Sequence, residues 1–121
     1  MKRTTINHFL GKNTCETIDD VQRTLDQSVD GVNEFFIRQE HTMYPHLIVL
    51  INGLYAYVTC VPTEEAAGTQ AFSDELETDL DPDGISIFYT NTPSEEIEIY
   101  NDYVISKDLA VQVVKEFVET G

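Results

Sequence analysis

Lysine and arginine are scarce in this chain of 121 residues. There are 7 of them against 22 acidic side chains, and the formal net charge is −15. Nucleic acids and anionic membranes attract proteins through clusters of Lys and Arg. We therefore expect neither a nucleic-acid nor a membrane partner, and a cationic protein is the natural complement to this charge.

Long apolar segments and cysteine clusters are also missing. No run approaches the roughly 20 apolar residues of a membrane-spanning helix. Lys2 and Arg3 resemble the start of a signal peptide, but residues 4–11 are too polar to continue one. Cys15 and Cys60 form no CxxC pair and no ligand-spaced cluster. These observations predict a cytoplasmic protein with reduced thiols, although a disulfide between the two cysteines is chemically allowed.

The length and the apolar content suit a single domain over residues 1–121. The sequence is 41% hydrophobic and 10% aromatic, which is enough for a core and argues against disorder. A domain of this length buries roughly two-thirds of the surface that its unfolded chain exposes. We therefore expect it to fold without a disulfide, a metal or a cofactor.

Two helices are predicted from apolar residues that recur at helical spacing. The first contains Ile18, Val21, Leu25 and Val29. Thr17 can cap its start and Gly31 can end it. The second comes after Ser106, a good cap, and its apolar stripe consists of Leu109, Ala110, Val113, Val114, Phe117 and Val118.

The segments between the helices have strand character. They are residues 33–40, 46–51, 54–60, 85–91 and 95–100, with a short strand at 103–105. Asn52-Gly53 is a strong hairpin signal, because both turn residues must accept positive φ. Glu96 to Ile99 alternate acidic with apolar residues, as in a strand with one solvated face. The pattern predicts an α+β fold: a curved antiparallel sheet with an N-terminal and a C-terminal helix packed on one face.

Common catalytic motifs are absent from the sequence. There is no Gly-rich phosphate loop, no GxSxG and no HExxH. His8, His41 and His46 lie in unrelated polar contexts, and we expect each of them at the surface. Carboxylates are so abundant that no pair can be singled out as a catalytic acid and base. We therefore predict no catalytic activity, with an enzyme that uses paired carboxylates as the alternative.

The sharpest short motif is Asp79-Leu80-Asp81-Pro82-Asp83-Gly84. Alternate carboxylates followed by glycine resemble the start of a calcium-binding loop. The twelfth position should be Glu but is Thr90, and residues 85–89 have strand character where a helix is required. An acidic turn rich in Asp, Pro and Gly explains the same residues. We predict no metal site here, and a calcium-binding regulatory module using Asp79, Asp81 and Asp83 is the alternative function.

Negative charge is concentrated in one long segment, since no Lys or Arg occurs between Arg38 and Lys107. Aromatic residues lie among the acids, and aromatic anchors within a charged rim are typical of tight protein interfaces. A highly soluble acidic surface is the simpler explanation. We predict a partner-binding surface with electrostatic contacts at Asp74, Glu75, Glu77, Asp79, Asp81 and Asp83 and anchors at Tyr55, Tyr57 and Phe72. Phe88 and one of the two tyrosines are expected in the core.

Several segments resemble the immunity proteins numbered one among those of bacterial polymorphic toxin systems. The resemblance spans residues 17–121 and is carried by residues 47–61, by Phe88-Tyr89-Thr90 and by residues 104–121. Members of that family combine a glycine-containing hairpin, an acidic variable loop and a capped terminal helix that ends near Thr-Gly. The resemblance implies a cytoplasmic protein that binds and neutralises a secreted toxin domain, commonly a nuclease or nucleic-acid deaminase, without catalysis. An inhibitor that mimics DNA and binds a host enzyme is a variant of this hypothesis, and the oligomeric state is open.

Overall fold

The computed structural model describes residues 3–8, 11–27, 34–64, 69–70, 83–89 and 96–120. Nine strands, two α-helices and one 3₁₀ turn lie within these residues. They are β1 Thr4–His8, β2 Gly11–Cys15, α1 Ile18–Leu25, β3 Glu34–Gln39, β4 His46–Asn52, β5 Tyr55–Val61, β6 Thr69–Gln70, β7 Ile85–Tyr89, β8 Glu96–Tyr100, the 3₁₀ turn Asn101–Tyr103, β9 Ile105–Ser106 and α2 Lys107–Thr120. Neither of these α-helices is both long and apolar enough to cross a membrane.

Seven of the strands form an open antiparallel sheet. Its order is β2-β1-β3-β4-β5-β6, and β9 pairs with β5 beside β6. The central position of β4 is explained by its nearly continuous apolar sequence, because a strand covered on both faces can bury every side chain. The strands predicted for residues 33–40, 46–51 and 54–60 are confirmed by β3, β4 and β5.

Both helices pack on one face of this sheet. On β4, Leu47, Val49 and Ile51 point toward the helices, since alternate side chains of a strand share a face. The same core contains buried residues from neighbouring strands and from both helices, among them Ile6, Phe35, Ile37, Ala56, Val58, Val21, Leu25, Ala110, Val111, Val114 and Val118. The predicted α+β class, with two helices on one face of an antiparallel sheet, is confirmed.

The remaining strands, β7 and β8, form a two-stranded ribbon that covers part of the opposite face. Phe88 is fully buried there against Leu50 and Val104. Leu50 neighbours Val49 in the chain and therefore points away from the helices. The strand pattern predicted a single sheet, and this expectation is wrong for the ribbon. Hydrophobic alternation identifies a strand with one buried face but does not specify which strand lies beside it.

Other differences concern the ends of elements. The hairpin of β1 and β2 precedes α1 and was not predicted, because its sequence is mostly polar. α1 ends at Leu25 with Asp26 as its C-cap, so the helix is shorter than predicted; Val29 and Gly31 lie outside the described residues. The short strand predicted at 103–105 is present but shifted toward the C-terminus, because Tyr103 belongs to a 3₁₀ turn and β9 is Ile105–Ser106. Both predicted helix caps are confirmed, since Thr17 and Ser106 accept backbone N–H bonds through their hydroxyl oxygens.

The hairpin of β4 and β5 is confirmed, but its turn is shifted by one residue. Asn52 pairs with Tyr55, so the two loop residues are Gly53 and Leu54. Gly53 has φ +63°, whereas Leu54 is not among the residues with positive φ. This matches a type II′ turn, which needs positive φ only at its first central residue. Asn52 is thereby left on the strand, where its side chain is available for another role.

Two of the three histidines are buried, contrary to expectation. His46 is 6% exposed, lies 4.3 Å from the Phe36 ring centroid, and its Nδ1 is 3.0 Å from the carbonyl oxygen of Met43. His8 stacks on Phe35, and its Nε2 is 3.3 Å from the Asn13 side-chain oxygen. Each ring therefore combines an aromatic contact with a polar partner, which makes burial of a polar ring tolerable. His41 is exposed, as predicted.

Candidate partner-binding surface

The outward face of the ribbon places carboxylates beside apolar side chains. The register of β7 and β8 pairs Ile85 with Tyr100, Ile87 with Glu98 and Tyr89 with Glu96. These side chains share one face because residues of a strand alternate, whereas Phe88, Ile97 and Ile99 point inward to the second cluster. We call these six paired residues the ribbon face: Ile85, Ile87, Tyr89, Glu96, Glu98 and Tyr100.

Large apolar side chains on the ribbon face are unusually accessible. Tyr100 is 68% exposed and Ile85 is 49% exposed, and they lie opposite each other. Tyr103, which comes after the ribbon in the 3₁₀ turn, is 40% exposed. Asp83 and Asp102, at the same end of the ribbon, are exposed as well. Accessible rings surrounded by carboxylates give the composition of a protein interface with aromatic anchors and a charged rim.

A side-chain hydrogen bond attaches the ribbon to the main sheet, and further polar contacts join its two strands to each other. The Asn52 side-chain amide donates to the carbonyl oxygen of Ile87 over 2.9 Å. At the other end, the Asn101 N–H donates to the Gly84 carbonyl over 3.0 Å, and the side chains of Asn101 and Ser86 are hydrogen-bonded. Asn101 is 6% exposed, so this contact is largely shielded from water. Together with buried Phe88, these bonds hold the ribbon face in a defined orientation.

Several cationic side chains among the described residues form ion pairs with acids that lie away from the ribbon. The ion pairs join Arg3 to Glu16 and Glu40, Arg23 to Asp20, and Lys107 to Asp26. Hydrogen bonding to Glu16 and the charge of Glu40 raise the pKa of the Arg3 guanidinium. The backbone N–H of Glu16 is the main cause that lowers the pKa of the Asp20 carboxyl, and Thr17 and Arg23 act in the same direction. These pairs lie around α1, β1 and the start of α2.

Carboxylates of the ribbon lack such compensation. Within the part of the chain that the structure describes, Glu96, Glu98 and Asp102 form no ion pair with Lys, Arg or His. Unpaired like charges repel one another and produce a local negative potential. Paired acids of the described residues thus lie around α1, whereas these three have no cationic partner. Among the same described residues, Asp19, Asp108 and Glu119 on the helices are unpaired as well.

Most residues of the surface predicted from sequence are not described. Phe72, Asp74, Glu75, Glu77, Asp79 and Asp81 lie outside the described residues. Asp83 is exposed next to β7. Tyr55 and Tyr57 are half-buried in the second cluster, on the sheet beneath the ribbon and away from the ribbon face. Both therefore contribute to packing, where only one was expected to, and Phe88 is in the core as predicted.

The ribbon face adds residues that the sequence pattern did not select as contacts. Glu96, Glu98 and Tyr100 were recognised only as members of an acidic and aromatic segment. Their spacing of two residues on a predicted strand was the available signal, because it places all three side chains on one face. Tyr89 could not be assigned in this way, since its position beside Glu96 depends on the register between β7 and β8.

The calcium hypothesis depends largely on residues that are not described. Of its three proposed ligands, only Asp83 is described, and it is followed by Gly84 and directly by strand β7. Among the described residues, no group of three His, Cys, Asp or Glu side chains could hold a metal ion. Calcium binding by the Asp79–Gly84 segment stays a prediction.

A polar groove of about 500 Å³ lies between β2 and α1. Its polar groups are engaged with one another: Asn13 donates to the Thr24 hydroxyl, Thr24 donates to the Asp20 carbonyl oxygen, and Arg23 pairs with the Asp20 carboxylate. These contacts fix α1 against the edge of the sheet. Their local role is structural, and they give no sign of a reactive group.

Comparison with known proteins leaves the resemblance to the immunity family as a prediction. Neither a family model nor a curated protein matches this sequence. The function is therefore inferred from the surface described above.

Proposed function

We propose that this protein is an immunity protein that binds a cationic toxin domain in the cytoplasm and neutralises it without catalysis. One observation carries the proposal: the ribbon face combines uncompensated carboxylates with exposed aromatic and aliphatic side chains. The resemblance over residues 17–121 supports the same function, and the net charge of −15 supports a cationic partner.

The two components of the ribbon face have separate physical roles. The carboxylates of Glu96 and Glu98 accelerate encounter with a cationic partner, because opposite potentials steer diffusion. Tyr100 and Ile85 supply apolar area that can be desolvated in the complex, and such area provides most of the affinity. A toxin that acts on nucleic acid has a cationic cleft for phosphates, and carboxylates can occupy such a cleft in place of phosphate.

The proposal requires a basic toxin domain encoded by a neighbouring gene, and the test uses that domain. Co-expression should protect cells from it, and the two purified proteins should form a stable complex. Glu96→Gln combined with Glu98→Gln should slow association about tenfold at low salt, and the difference should shrink as salt screens the charges.

A matched control removes the same charge from the helical side of the molecule. Asp19→Asn combined with Glu119→Gln changes two exposed carboxylates on α1 and α2. At about 0.15 M salt, where charges interact over roughly 8 Å, association of this variant should match wild type, because its two substitutions lie on the helices and not on the ribbon. Equal slowing by both double variants would show that net charge alone acts. Absence of any protective complex would refute the proposed function.

A further inference from the structure

We infer that the outer edge of β8 binds an extended segment of the partner, which adds to the ribbon as a third strand. The segment would alternate cationic with apolar residues. This inference rests on the proposed function and specifies how the partner is held. Three observations support it. They are the alternation of hydrogen-bonded and non-hydrogen-bonded pairs along the ribbon, the side chains along its edge, and the charge of those side chains.

A hydrogen bond at the end of the ribbon identifies which residue pairs of β7 and β8 are hydrogen-bonded to each other. The Asn101 N–H donates to the Gly84 carbonyl, and the register continues from this pair without interruption through all five pairs of β7 and β8. In an antiparallel pair, hydrogen-bonded and non-hydrogen-bonded positions alternate. Glu98 and Ile87 are therefore a non-hydrogen-bonded pair, and their peptide groups point away from each other.

An independent contact agrees with this alternation. The carbonyl oxygen of Ile87 accepts a hydrogen bond from the Asn52 side chain, which lies outside the ribbon. That bond requires the Ile87 peptide to point outward on the β7 side. By the same alternation, the peptide groups of Glu96, Glu98 and Tyr100 point outward on the β8 side.

These outward peptide groups have no partner within the described residues. β8 pairs only with β7, and no hydrogen bond between described residues engages the backbone of Glu96, Glu98 or Tyr100 on the outer side. An exposed strand edge of this kind is a template for another strand. Addition of a strand is an established mode of peptide recognition, in which main-chain bonds provide affinity and alternate side chains provide specificity.

Side chains along the edge define the segment that fits. Ile97 and Ile99 are partly buried in the second cluster, so apolar side chains of an added strand on that side would extend the cluster. Glu96 and Glu98 lie exposed on the other side. A neighbouring strand lies about 4.8 Å away, close enough for cross-strand side-chain pairs to interact. Cationic residues opposite these glutamates are therefore favoured.

A second copy of this chain is a poor occupant. Antiparallel pairing of two β8 strands about their centre would place Glu98 opposite Glu98, and like charges directly opposite destabilise a sheet. Each copy also carries a net charge of −15. Glutamates on the edge thus oppose self-association and favour a cationic strand, so the same residues select the partner.

The test separates the contribution of the Glu98 backbone N–H from that of its carboxylate. Glu98→Gln removes the carboxylate and keeps the N–H, whereas Glu98→Pro removes both. Proline is tolerated at an edge position whose N–H takes no part in the ladder, and an extended residue such as Ile97 can precede it. The probe is a ten-residue peptide of alternating Arg and Val, and its control has five Arg followed by five Val.

The alternating peptide should bind wild type at least tenfold more tightly than the block peptide in titration calorimetry. Glu98→Gln should weaken this binding moderately, and Glu98→Pro should weaken it at least tenfold more. Equal affinity for both peptides, or equal effects of the two substitutions in folded variants, would overturn the inference. Circular dichroism and thermal melting establish that the variants are folded.

A second measurement needs no substitution. Amide exchange at Glu96, Glu98 and Tyr100 should be fast in the free protein and slow by at least tenfold in complex with the neighbouring toxin domain. Unchanged exchange at these amides in a neutralising complex would overturn the edge inference while leaving the proposed function intact. Binding of the alternating peptide together with failure to neutralise any toxin would refute the function and leave the edge chemistry standing.

Discussion

Replacement of Phe88 by alanine tests whether one buried ring holds the ribbon on the sheet. Phe88 is 0% exposed, and the other buried residues of the second cluster are Leu50 and Val104. Truncation of a buried phenylalanine to alanine costs about 3–5 kcal/mol. Ile97 and Ile99 are only half-buried and can move into the vacated space, so we expect a value near the lower limit, about 3 kcal/mol.

The assay must distinguish global unfolding from detachment of the ribbon. With a urea dependence of about 1.5 kcal/mol per molar, a global loss of about 3 kcal/mol lowers the unfolding midpoint by about 2 M. If the ribbon detaches by itself, the loss appears instead as faster amide exchange at Ile97 and Ile99, with little change in the midpoint. Exchange that is faster only in the ribbon confirms that Phe88 anchors it, whereas a global loss shows that the ribbon and the sheet unfold as one unit.

Two further substitutions act as controls for Phe88→Ala. Phe35→Ala, in the core between sheet and helices, should lower the global midpoint and leave no stable sheet for the ribbon to cover. Ile85→Ala, on the 49% exposed side of the ribbon, should cost less than about 1 kcal/mol. A loss below about 1 kcal/mol for Phe88→Ala, in both unfolding and exchange, would refute the assignment of the second cluster as the attachment of the ribbon.

Three other predictions concern single residues. The lowered pKa of Asp20 stabilises the fold above the ordinary aspartate pKa of about 3.9, and this stabilisation is lost as the pH falls from there through the lowered value. Asp20→Asn should therefore reduce the melting temperature at pH 7 and match wild type in strong acid, whereas a constant difference from pH 2 to pH 7 would contradict this. Burial raises the pKa of the Cys15 thiol, so native protein should react quickly with a thiol reagent at Cys60 alone and at Cys15 only after denaturation. Fast reaction of both cysteines in the native protein would contradict this prediction. Gly53→Ala should cost about 1 kcal/mol in urea unfolding because φ is +63° while the added methyl group meets nothing within 4 Å. Gly53→Asn should recover part of that loss, and a gain in stability for the alanine variant would be inconsistent with the turn.

The proposed binding surface illustrates why composition alone is insufficient. Glu16 and Asp26 contribute to the negative net charge as fully as Glu96 does. In the folded molecule, however, Arg3 and Lys107 pair with the first two, whereas Glu96 has no cationic partner among the described residues. Only the uncompensated carboxylates present charge to a partner, and which ones these are depends on where the few cations lie.

Much of the fold was determined by local sequence alone. The run from His46 to Ile51 is apolar enough for a central strand, and the hydroxyls of Thr17 and Ser106 cap helices that begin at the next residue. Such signals depend on a residue and its near neighbours in the chain, so a single sequence contains them in full. The turn at Gly53 was located to within one residue, since the difference between Asn52-Gly53 and Gly53-Leu54 depends on the pairing of the strands.

Tertiary structure decided which elements lie next to each other. The sequence indicated that Glu96, Glu98 and Tyr100 share one side of a strand. It did not indicate that this strand leaves the main sheet, nor that its outer edge is uncovered by any strand of the described residues. Partial burial of Tyr55 and Tyr57 beneath the ribbon likewise depends on contacts between distant segments, as does burial of His8 and His46 beside aromatic rings. Local periodicity indicates which face of its own helix or strand a side chain occupies. Its neighbours depend on how separate elements pack to bury their apolar surfaces, and a single segment does not contain that information.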